Sequence, residues 1–468
     1  KDCWAQPVNG SPLQVLALKL RNVKNALKQW SRTTFGDIFQ GARDAERMVT
    51  EAETAYDLDP TEQRRSELHH ARARLRRALI VEEVFWRQKA RVRWLSDGDR
   101  NTKYFHSLVT ERRHRAVIHR IKDTAGEWID EECQIGEAAV GFFKELFTAE
   151  GGLPCLTGLQ IIPKLITDQE NSRLTDILSL TEVKDIVFAM DGESTAGPDG
   201  FTGKFFTFAW EVVALDIYRA VISFFCGAEL PRGITATSIV LLPKVENPQD
   251  FKQFRPISLC NFTNKIISKL LSTRLAIILP RIISPQQSGF VQGRQITDNF
   301  LLAQELVADI KKSNRGGNVV IKLDMMKAYD RVSWPFLLQV LRYFGFSETW
   351  IDMIWRLISN IWFSVLVNGG SHGFFKSSRG LRQGDPISPA LFVIGAELLS
   401  RALNKLPTQR GFTPFKVPPH CPIITHLAFA DDVIIFSSGS RSSLHLIKRV
   451  LEDYSEVSGQ RLNPQKSC

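Results

Sequence analysis

A mixed α+β fold preceded by a long helical extension is what this sequence predicts, and two observations predict it. From about residue 180 onward, strand-like runs (ATSIVLLPK, NVVIKLDM, FSVLVNG, IITHLAFA, DVIIFSS) alternate with helical ones (NKIISKLLSTRLAIILP, NFLLAQELVADIKK, SPALFVIGAELLSRALNK). That texture suits an open sheet with helices on one face. Before that point the chain is charged and helix-patterned. With 468 residues, 44% of them hydrophobic and 24% charged, there is material for two or three domains and more than one sizeable core. No run of about 18 apolar residues and no secretory signal is present, so no membrane partner is expected. The chain begins with Lys rather than Met, so a fragment or a processed product is expected. Its seven cysteines are scattered without a C-x-x-C pair, which indicates neither a disulfide framework nor a zinc site and suits a reducing compartment.

The extension opens with QVLALKLRNVKNALKQW (14–30), where Leu16, Leu20, Val23, Leu27 and Trp30 recur at spacings of four and three. That is a heptad-like helical stripe. At DLDPT, Asp59 is placed to cap a second helix, with Pro60 at its first position and Glu62 at its third. This helix runs through Leu68, Leu75 and Leu79 to about Trp94. The two are expected to form an antiparallel hairpin with apolar stripes facing each other and a basic outer face. Between residues 62 and 122 stand 17 Lys/Arg against 7 Asp/Glu, an excess equal to the net charge of the whole chain, +10. Phe85, Trp86, Trp94, Tyr104 and Phe105 interleave with these cations. Rings stack on bases and cations pair with phosphates, so RNA or DNA is the favoured partner. A solvated coiled-coil arm is the competing reading. Next, RVRWLSDGDRNTKYFH (91–106) sets turn residues among basic and aromatic ones, a surface suited to a phosphate backbone through Arg91, Arg93, Trp94, Arg100 and Lys103. Gly151, Gly152 and Pro154 suggest a linker.

Two carboxylate motifs carry the chemistry. In LAFADDVIIF (427–436), Asp431 and Asp432 interrupt two apolar runs; alone, that is an ordinary polar turn. VVIKLDMMKAYDRVSW (319–334) adds Asp324 at a strand end, where a charge is costly unless paired or metal-bound. If the strands are neighbours, three carboxylates converge. Such oxygen ligands with open positions suit Mg²⁺, with Mn²⁺ as an alternative ion. Two such ions activate a 3′-hydroxyl and stabilise leaving pyrophosphate. Between the motifs, RGLRQGDPISPALF (379–392) is a Gly/Pro-punctuated loop that opens a helix, and its N–H groups and Gln383 suit a nucleotide border. Tyr329 is placed for its ring to lie under a nucleotide sugar, although core packing explains it equally.

AFADD, LDMMKAYD and RQGDPISP, in this order, resemble the palm motifs of reverse transcriptases, more narrowly those of plant LINE-type (non-LTR) retrotransposons. STAGPDGF (194–201), IVLLPKVENPQDFKQFRPISLCN (239–261) and QQSGFVQGRQITDN (286–299) resemble the same family's finger motifs, and the likeness covers roughly residues 85–468. The resemblance implies a right-hand polymerase of fingers and palm, an antiparallel palm sheet backed by helices, after the basic helical extension. The expected divisions are 1–125 for the helical hairpin and RNA-binding extension, 126–185 for a linker with short helices, 186–316 for fingers and 317–468 for palm. The motif SGQRLNPQKS (458–467) lies at the end of the chain, so the thumb is expected to be missing and the chain to be a partial copy of an element's reading frame.

The same resemblance implies roles residue by residue. Asp324, Asp431 and Asp432 would be the catalytic carboxylates, with Asp324, Asp431 and the Met325 carbonyl holding two Mg²⁺ ions. Tyr329 resembles the gate that tests for a 2′-hydroxyl; Lys244 and Arg255 sit where finger residues grip the triphosphate; Gln383 and Gly384 border the incoming dNTP. Lys466 resembles the lysine that protonates leaving pyrophosphate, a solvated lysine being its other reading. Gln287, Gly289 and Arg294 would follow the template, with Gly197, Pro198, Asp199 and Gly200 also near nucleic acid. Arg255 and Asp199 equally suit loop-shaping roles. The implied partners are an RNA template, a DNA primer and dNTPs; the expected location is the nucleus, with passage through the cytoplasm alongside element RNA. Two alternatives stand beside the polymerase: a nucleic-acid-binding remnant without turnover, and a maturase-like RNA-binding protein.

Overall fold

The computed structural model describes residues 1–90, 102–123, 125–149, 158–464 and 466–467. They divide into two compact units, one of residues 2–5 and 20–119, the other of residue 1, 6–19 and 120–468.

The first unit is helical. It takes the later part of the helix Pro12–Phe35 and the helices Ile38–Leu58, Glu62–Ala90 and Thr102–Ala116. Asp37 Oδ1 accepts the N–H groups of Phe39 and Gln40 and so opens the second helix. That helix folds back on Glu62–Ala90, where Arg72 reaches Glu53 at 2.8 Å. Sequence expected residues 14–30 to pair with the helix after Asp59, and this is corrected: residues 38–58 are its partner. Leu27 and Trp30, counted in the heptad-like stripe, are 45% and 54% exposed. Asp59 ends the helix Ile38–Leu58, and Thr61 Oγ1 accepts the Arg64 N–H in the next one. A stripe of spaced leucines does not register a break as short as Gly36–Asp37. Arg65, Arg72, Arg74, Arg76 and Arg77 are exposed, as the basic face requires. Arg91, Arg93, Trp94 and Arg100 lie outside the described residues, and Lys103 falls on the helix Thr102–Ala116.

In the second unit the strands, in chain order, are β1 (Ile121–Lys122), β2 (Trp128–Ile129), β3 (Ala236–Pro243), β4 (Phe254–Cys260) and β5 (Asn318–Leu323). There follow β6 (Trp362–Val367), β7 (Gly370–Lys376), β8 (His426–Phe429) and β9 (Asp432–Ser438). β1 and β2 form a small ribbon; the others make a four-stranded sheet, β4-β3-β6-β7, and a three-stranded antiparallel sheet, β5-β9-β8. Every strand-like run read from the sequence is a strand. β4 and β7 escape that reading because Pro256 breaks a propensity pattern and GSHGFFK is glycine-rich. β4 tolerates Pro256 because it is an edge strand. Sequence expected one open sheet; the strands separate into two, with β3 and β6 running parallel. β6 and β7 lie in the stretch assigned to the palm, yet they join the sheet of β3 and β4.

The three-stranded sheet carries the two carboxylate motifs. Ile434 and Phe436 face a cluster of Leu306, Phe415 and Leu427 that the helix Ile296–Ala308 completes through Leu302. Val433 and Ile435 alternate onto the other face, toward the helices Ser388–Lys405 and Arg441–Ser458. Helices therefore cover both faces rather than the one expected. Beneath them the helix Trp334–Phe344 buries Phe336, Leu337, Val340, Leu341 and Phe344, and Phe336 meets Tyr454 edge-on at 6.3 Å.

His426 is 1% exposed, wedged between Thr425 Oγ1 and Ser400 Oγ at 3.0 Å each. Burial holds its pKa down to about 3. The unfolded chain therefore binds a proton between about pH 6.5 and 3 that the folded chain refuses. Stability from this site is complete above pH 6.5 and is lost as pH falls, by up to about 1.4 kcal/mol per pH unit. Urea denaturation at pH 7 and pH 5 is expected to show a steeper loss for the parent chain than for His426→Gln.

Candidate active site

Register brings the carboxylates together. β5 pairs β9 with Leu323 opposite Val433, and β8 pairs β9 with Phe429 opposite Asp432. Asp324, one residue past Leu323, therefore lies beside the tight turn of Ala430 and Asp431. Because side chains alternate, a slip of one residue would turn one motif away from the other. The chain end fixes the same corner. Asn463 N–H donates to the Asp324 carbonyl (2.9 Å), Met326 N–H to the Arg461 carbonyl (2.7 Å), and Asp324 N–H to Ser467 Oγ (3.2 Å).

A cavity of about 560 Å³ opens here, lined by Asp324, Met325, Tyr329, Asp431, Asp432, Lys466, Lys244, Arg255, Gln383 and Gly384. Every catalytic, metal-binding and nucleotide-binding residue expected from the sequence lines it. They arrive from the β3–β4 sheet, the β5 end, the 379–392 loop, the β8–β9 turn and the chain end. The donor set is oxygen-only, which matches a hard divalent cation rather than a soft one. Among the described residues no three carboxylate, imidazole or thiol groups are already gathered at ligand distance. Burial first, then the charges of Asp432 and Asp324, hold the Asp431 carboxyl above the usual carboxylate range, against a backbone hydrogen bond that lowers it. A cation would relieve that repulsion.

The loop RQGD alternates between anchoring and presenting. Arg382 and Asp385 pair within the core, Ser268 bonds Asp385, and Arg382 Nη2 donates to Asn264 Oδ1 at 3.0 Å. Gln383 and Gly384 face the cavity, where Arg382 also contributes to the wall. Gly384 has φ +104, a backbone region that side chains disfavour. Edge strand β4 is tied to the loop by the Ser258 N–H donating to the Gln383 carbonyl at 2.9 Å, which sets Arg255 near Gln383. Tyr329 lies flat on Phe392, centroids 4.6 Å apart and 14° off parallel. Its hydroxyl is buried with no hydrogen-bond partner among the described residues, and burial raises its pKa.

Sequence reasoning quoted but did not assign Lys327 and Asp330, which also line the cavity. Lys327 is a non-glycine residue at φ +50 with its ammonium 4.5 Å from the Phe142 ring. Its Nζ is buried without a hydrogen-bond partner among the described residues, and burial pulls its pKa down to about 8. Asp330 is 1% exposed; burial lifts its carboxyl to about 6 although Lys327 pulls the other way and Gln383 Nε2 donates to Oδ1 at 2.9 Å. The signal available was their spacing of three within KAYD, one helical turn. Burial of Lys244 lowers its pKa, with Lys466 adding to the effect. Five cations and four carboxylates thus share one cavity, a charge pattern matched to a phosphate chain with its counter-ions.

The remaining expected residues lie elsewhere. Gly197 packs against Asn261, whose Oδ1 accepts the Asp199 N–H at 3.0 Å; Asp199 Oδ1 accepts the Phe201 N–H. Gly197, Pro198, Asp199 and Gly200 are not among the cavity-lining residues. Gln287 is 2% exposed, and Arg294 donates to the carbonyls of Pro280, Ile283, Ser284 and Gln287. Both turn inward, contrary to an open template path: their polar groups are consumed by backbone partners. Phe290, exposed at φ +59 and stacked near Phe429 at 6.5 Å, is the member of that motif that lines the cavity.

Residues 242–468 match the family described as reverse transcriptase (RNA-dependent DNA polymerase). The chain is 28% identical over 381 residues to the transposon TX1 uncharacterized 149 kDa protein of Xenopus laevis, covering 81% of this chain and 28% of that one. It is 28% identical over 273 residues to the Pol polyprotein from the type-2 retrotransposable element R2DM of Drosophila melanogaster, 58% of this chain and 24% of the relative. Over 75 residues it is 39% identical to an uncharacterized mitochondrial protein of Arabidopsis thaliana, 16% of this chain and 62% of the relative. The chain thus spans 28% and 24% of the length of the first two relatives.

Replacing one of the crowded carboxylates should stabilise the metal-free chain. Asp431→Asn is expected to raise the melting temperature in EDTA, because an amide has no charge to desolvate or to repel Asp432 and Asp324. Added Mg²⁺ should then stabilise the parent more than the variant, as differential scanning fluorimetry would register.

Proposed function

We propose, starting from the reverse transcriptase domain that residues 242–468 form, that this chain is the RNA-directed DNA polymerase core of a non-LTR retrotransposon. The observation that carries this reading is the convergence of Lys244, Arg255, Asp324, Tyr329, Gln383, Gly384, Asp431, Asp432 and Lys466, from distant parts of the sequence, on one cavity. In the proposed reaction a DNA primer's 3′-oxygen attacks the α-phosphorus of a dNTP, a new P–O bond forms, and pyrophosphate leaves with the old one.

Asp324, Asp431 and the Met325 carbonyl would hold two Mg²⁺ ions, which supply Lewis-acid stabilisation of the attacking and leaving oxygens when bound. Lys244 and Arg255 meet the triphosphate as paired cations. Tyr329, held flat by Phe392, underlies the sugar and leaves no room for a 2′-hydroxyl. Gln383, steadied by Asp330, and Gly384 border the base and sugar. Lys466 is assigned the proton that leaving pyrophosphate takes up. The basic helix Glu62–Ala90 and the segment after it suit the backbone of the RNA template. The plant lineage is supported by the motif text and by the Arabidopsis thaliana likeness. A chromosomal target would put the work in the nucleus.

Primer extension on an RNA template with a DNA primer tests this. The parent chain is expected to add dNTPs in Mg²⁺, and Asp431→Asn to lose at least about 10³-fold in rate while retaining RNA binding. Intact RNA binding with no extension by the parent would leave a binding protein and sink the polymerase reading. In the same assay, Tyr329→Val is expected to narrow the preference for dNTPs over rNTPs by roughly 10-fold or more, because a smaller side chain admits the extra hydroxyl.

A further inference from the structure

We infer that Gln287 is a positioning residue for the carboxylate turn, a reading that rests on the polymerase assignment above. Its carboxamide clamps the peptide on both sides of Ala430 and so aims Asp431 and Asp432 into the cavity.

The turn needs holding. Ala430, its first central residue, has φ +56, where a β-carbon is disfavoured by roughly 1 kcal/mol and glycine is the usual occupant. Such a conformation persists only where its surroundings over-determine it. Gln287 supplies that constraint with three hydrogen bonds. Its Oε1 accepts the N–H of Ala430 at 2.9 Å and of Gly289 at 2.8 Å, and its Nε2 donates to the Ala430 carbonyl at 3.2 Å. Only a primary carboxamide presents an acceptor and a donor in one rigid fork. Glu lacks the donor, and Leu, near in shape, lacks both.

The clamp itself is braced. Gln286 carbonyl accepts the Ala428 N–H and Ser288 N–H donates to the Ala428 carbonyl, each at 3.0 Å, so the segment runs beside β8 as an added edge. Asn299 Nδ2 ties the Gln286 and Ala428 carbonyls together. Glu397, 1% exposed, accepts from the N–H and hydroxyl of Ser284. Arg294 binds four carbonyls around the same loop. Finally, a β-carbon on Gly289 would stand 2.4 Å from Ala430 N, so glycine there allows the two backbones to touch. The motif QQSGFVQGRQITDN, read from sequence as template path, is in this part a strut beneath the catalytic turn.

The full chain is the material for the test, as parent, Gln287→Leu, Gln287→Glu, and Gln287→Leu combined with Ala430→Gly. Mn²⁺ binding is followed by electron paramagnetic resonance without nucleic acid, and single-nucleotide extension yields kcat and the KM for dNTP. Outer-shell partners of metal ligands typically govern 10- to 100-fold in affinity or activity. Gln287→Leu is therefore expected to weaken Mn²⁺ binding and lower kcat by roughly 10- to 100-fold, with the KM for dNTP and the affinity for RNA–DNA duplex nearly unchanged. Gln287→Glu, which keeps the acceptor, should fall between. Ala430→Gly should restore part of the loss, because glycine holds φ +56 unaided. If Gln287→Leu does not fold, the Glu variant decides by the same measures. A weakened duplex affinity with unchanged Mn²⁺ binding and kcat would overturn the inference and return Gln287 to the template path. No change in any measure would also overturn it. Weakened Mn²⁺ binding in Gln287→Leu, beside a parent chain that binds Mn²⁺ yet never extends a primer, would instead overturn the polymerase reading and leave the clamp standing.

Discussion

A partly buried carboxylate flanked by like charges is the constraint on which this structure turns. Asp431 is lifted above the ordinary carboxylate range chiefly by burial and further by Asp432 and Asp324, and nothing in a relaxed hairpin would choose that arrangement. The antiparallel register of β5, β9 and β8 imposes it, because the register is itself held by apolar residues alternating onto two covered faces. Hydrophobic packing on both sides of the sheet thus overrides electrostatic repulsion at its end. The repulsion remains available to a cation.

Around that corner the chain uses buried polar groups as fasteners rather than as chemistry. Arg382 and Asp385 neutralise each other inside the fold, which leaves Gln383 and Gly384 between them on the cavity wall. Beneath Ala430, Glu397 pairs with Arg401 and accepts from Ser284, while Arg294 spends its guanidinium on the backbone carbonyls of the same segment. A buried charge pair adds little net stability, yet removing one partner is severe. Its value here is geometric, since each pair pins a loop that would otherwise be free to drift. Lys327, Asp330 and Arg382 also line the cavity, and each keeps a polar atom without a hydrogen-bond partner among the described residues, a place for a ligand's polar groups.

The helical unit follows a different logic. Its helices Ile38–Leu58 and Glu62–Ala90 share a narrow apolar seam that includes Ala42, Ala45, Leu68 and Ala71, and small residues let the two backbones approach closely. The outer face is left to arginines, some in exposed ion pairs such as Arg65 with Glu62, which contribute little to stability.

Much of this was legible in the sequence. Strand-like apolar runs located β3, β5, β6, β8 and β9, and motif order named Asp324, Asp431, Asp432, Lys244, Arg255 and Lys466 but not Lys327, Asp330 or Arg382, because both readings depend on short stretches of chain and their chemistry. Tertiary structure alone decided the rest. It divided the strands between two sheets, paired residues 38–58 rather than 14–30 with the basic helix, and admitted Pro256 to a strand by placing that strand at an edge. It also turned Gln287 and Arg294 inward. The reason is common to all four: which partner a strand edge, a helix face or an amide group finds is set by competition among distant segments for burial and hydrogen bonds. No window of neighbouring residues contains that competition.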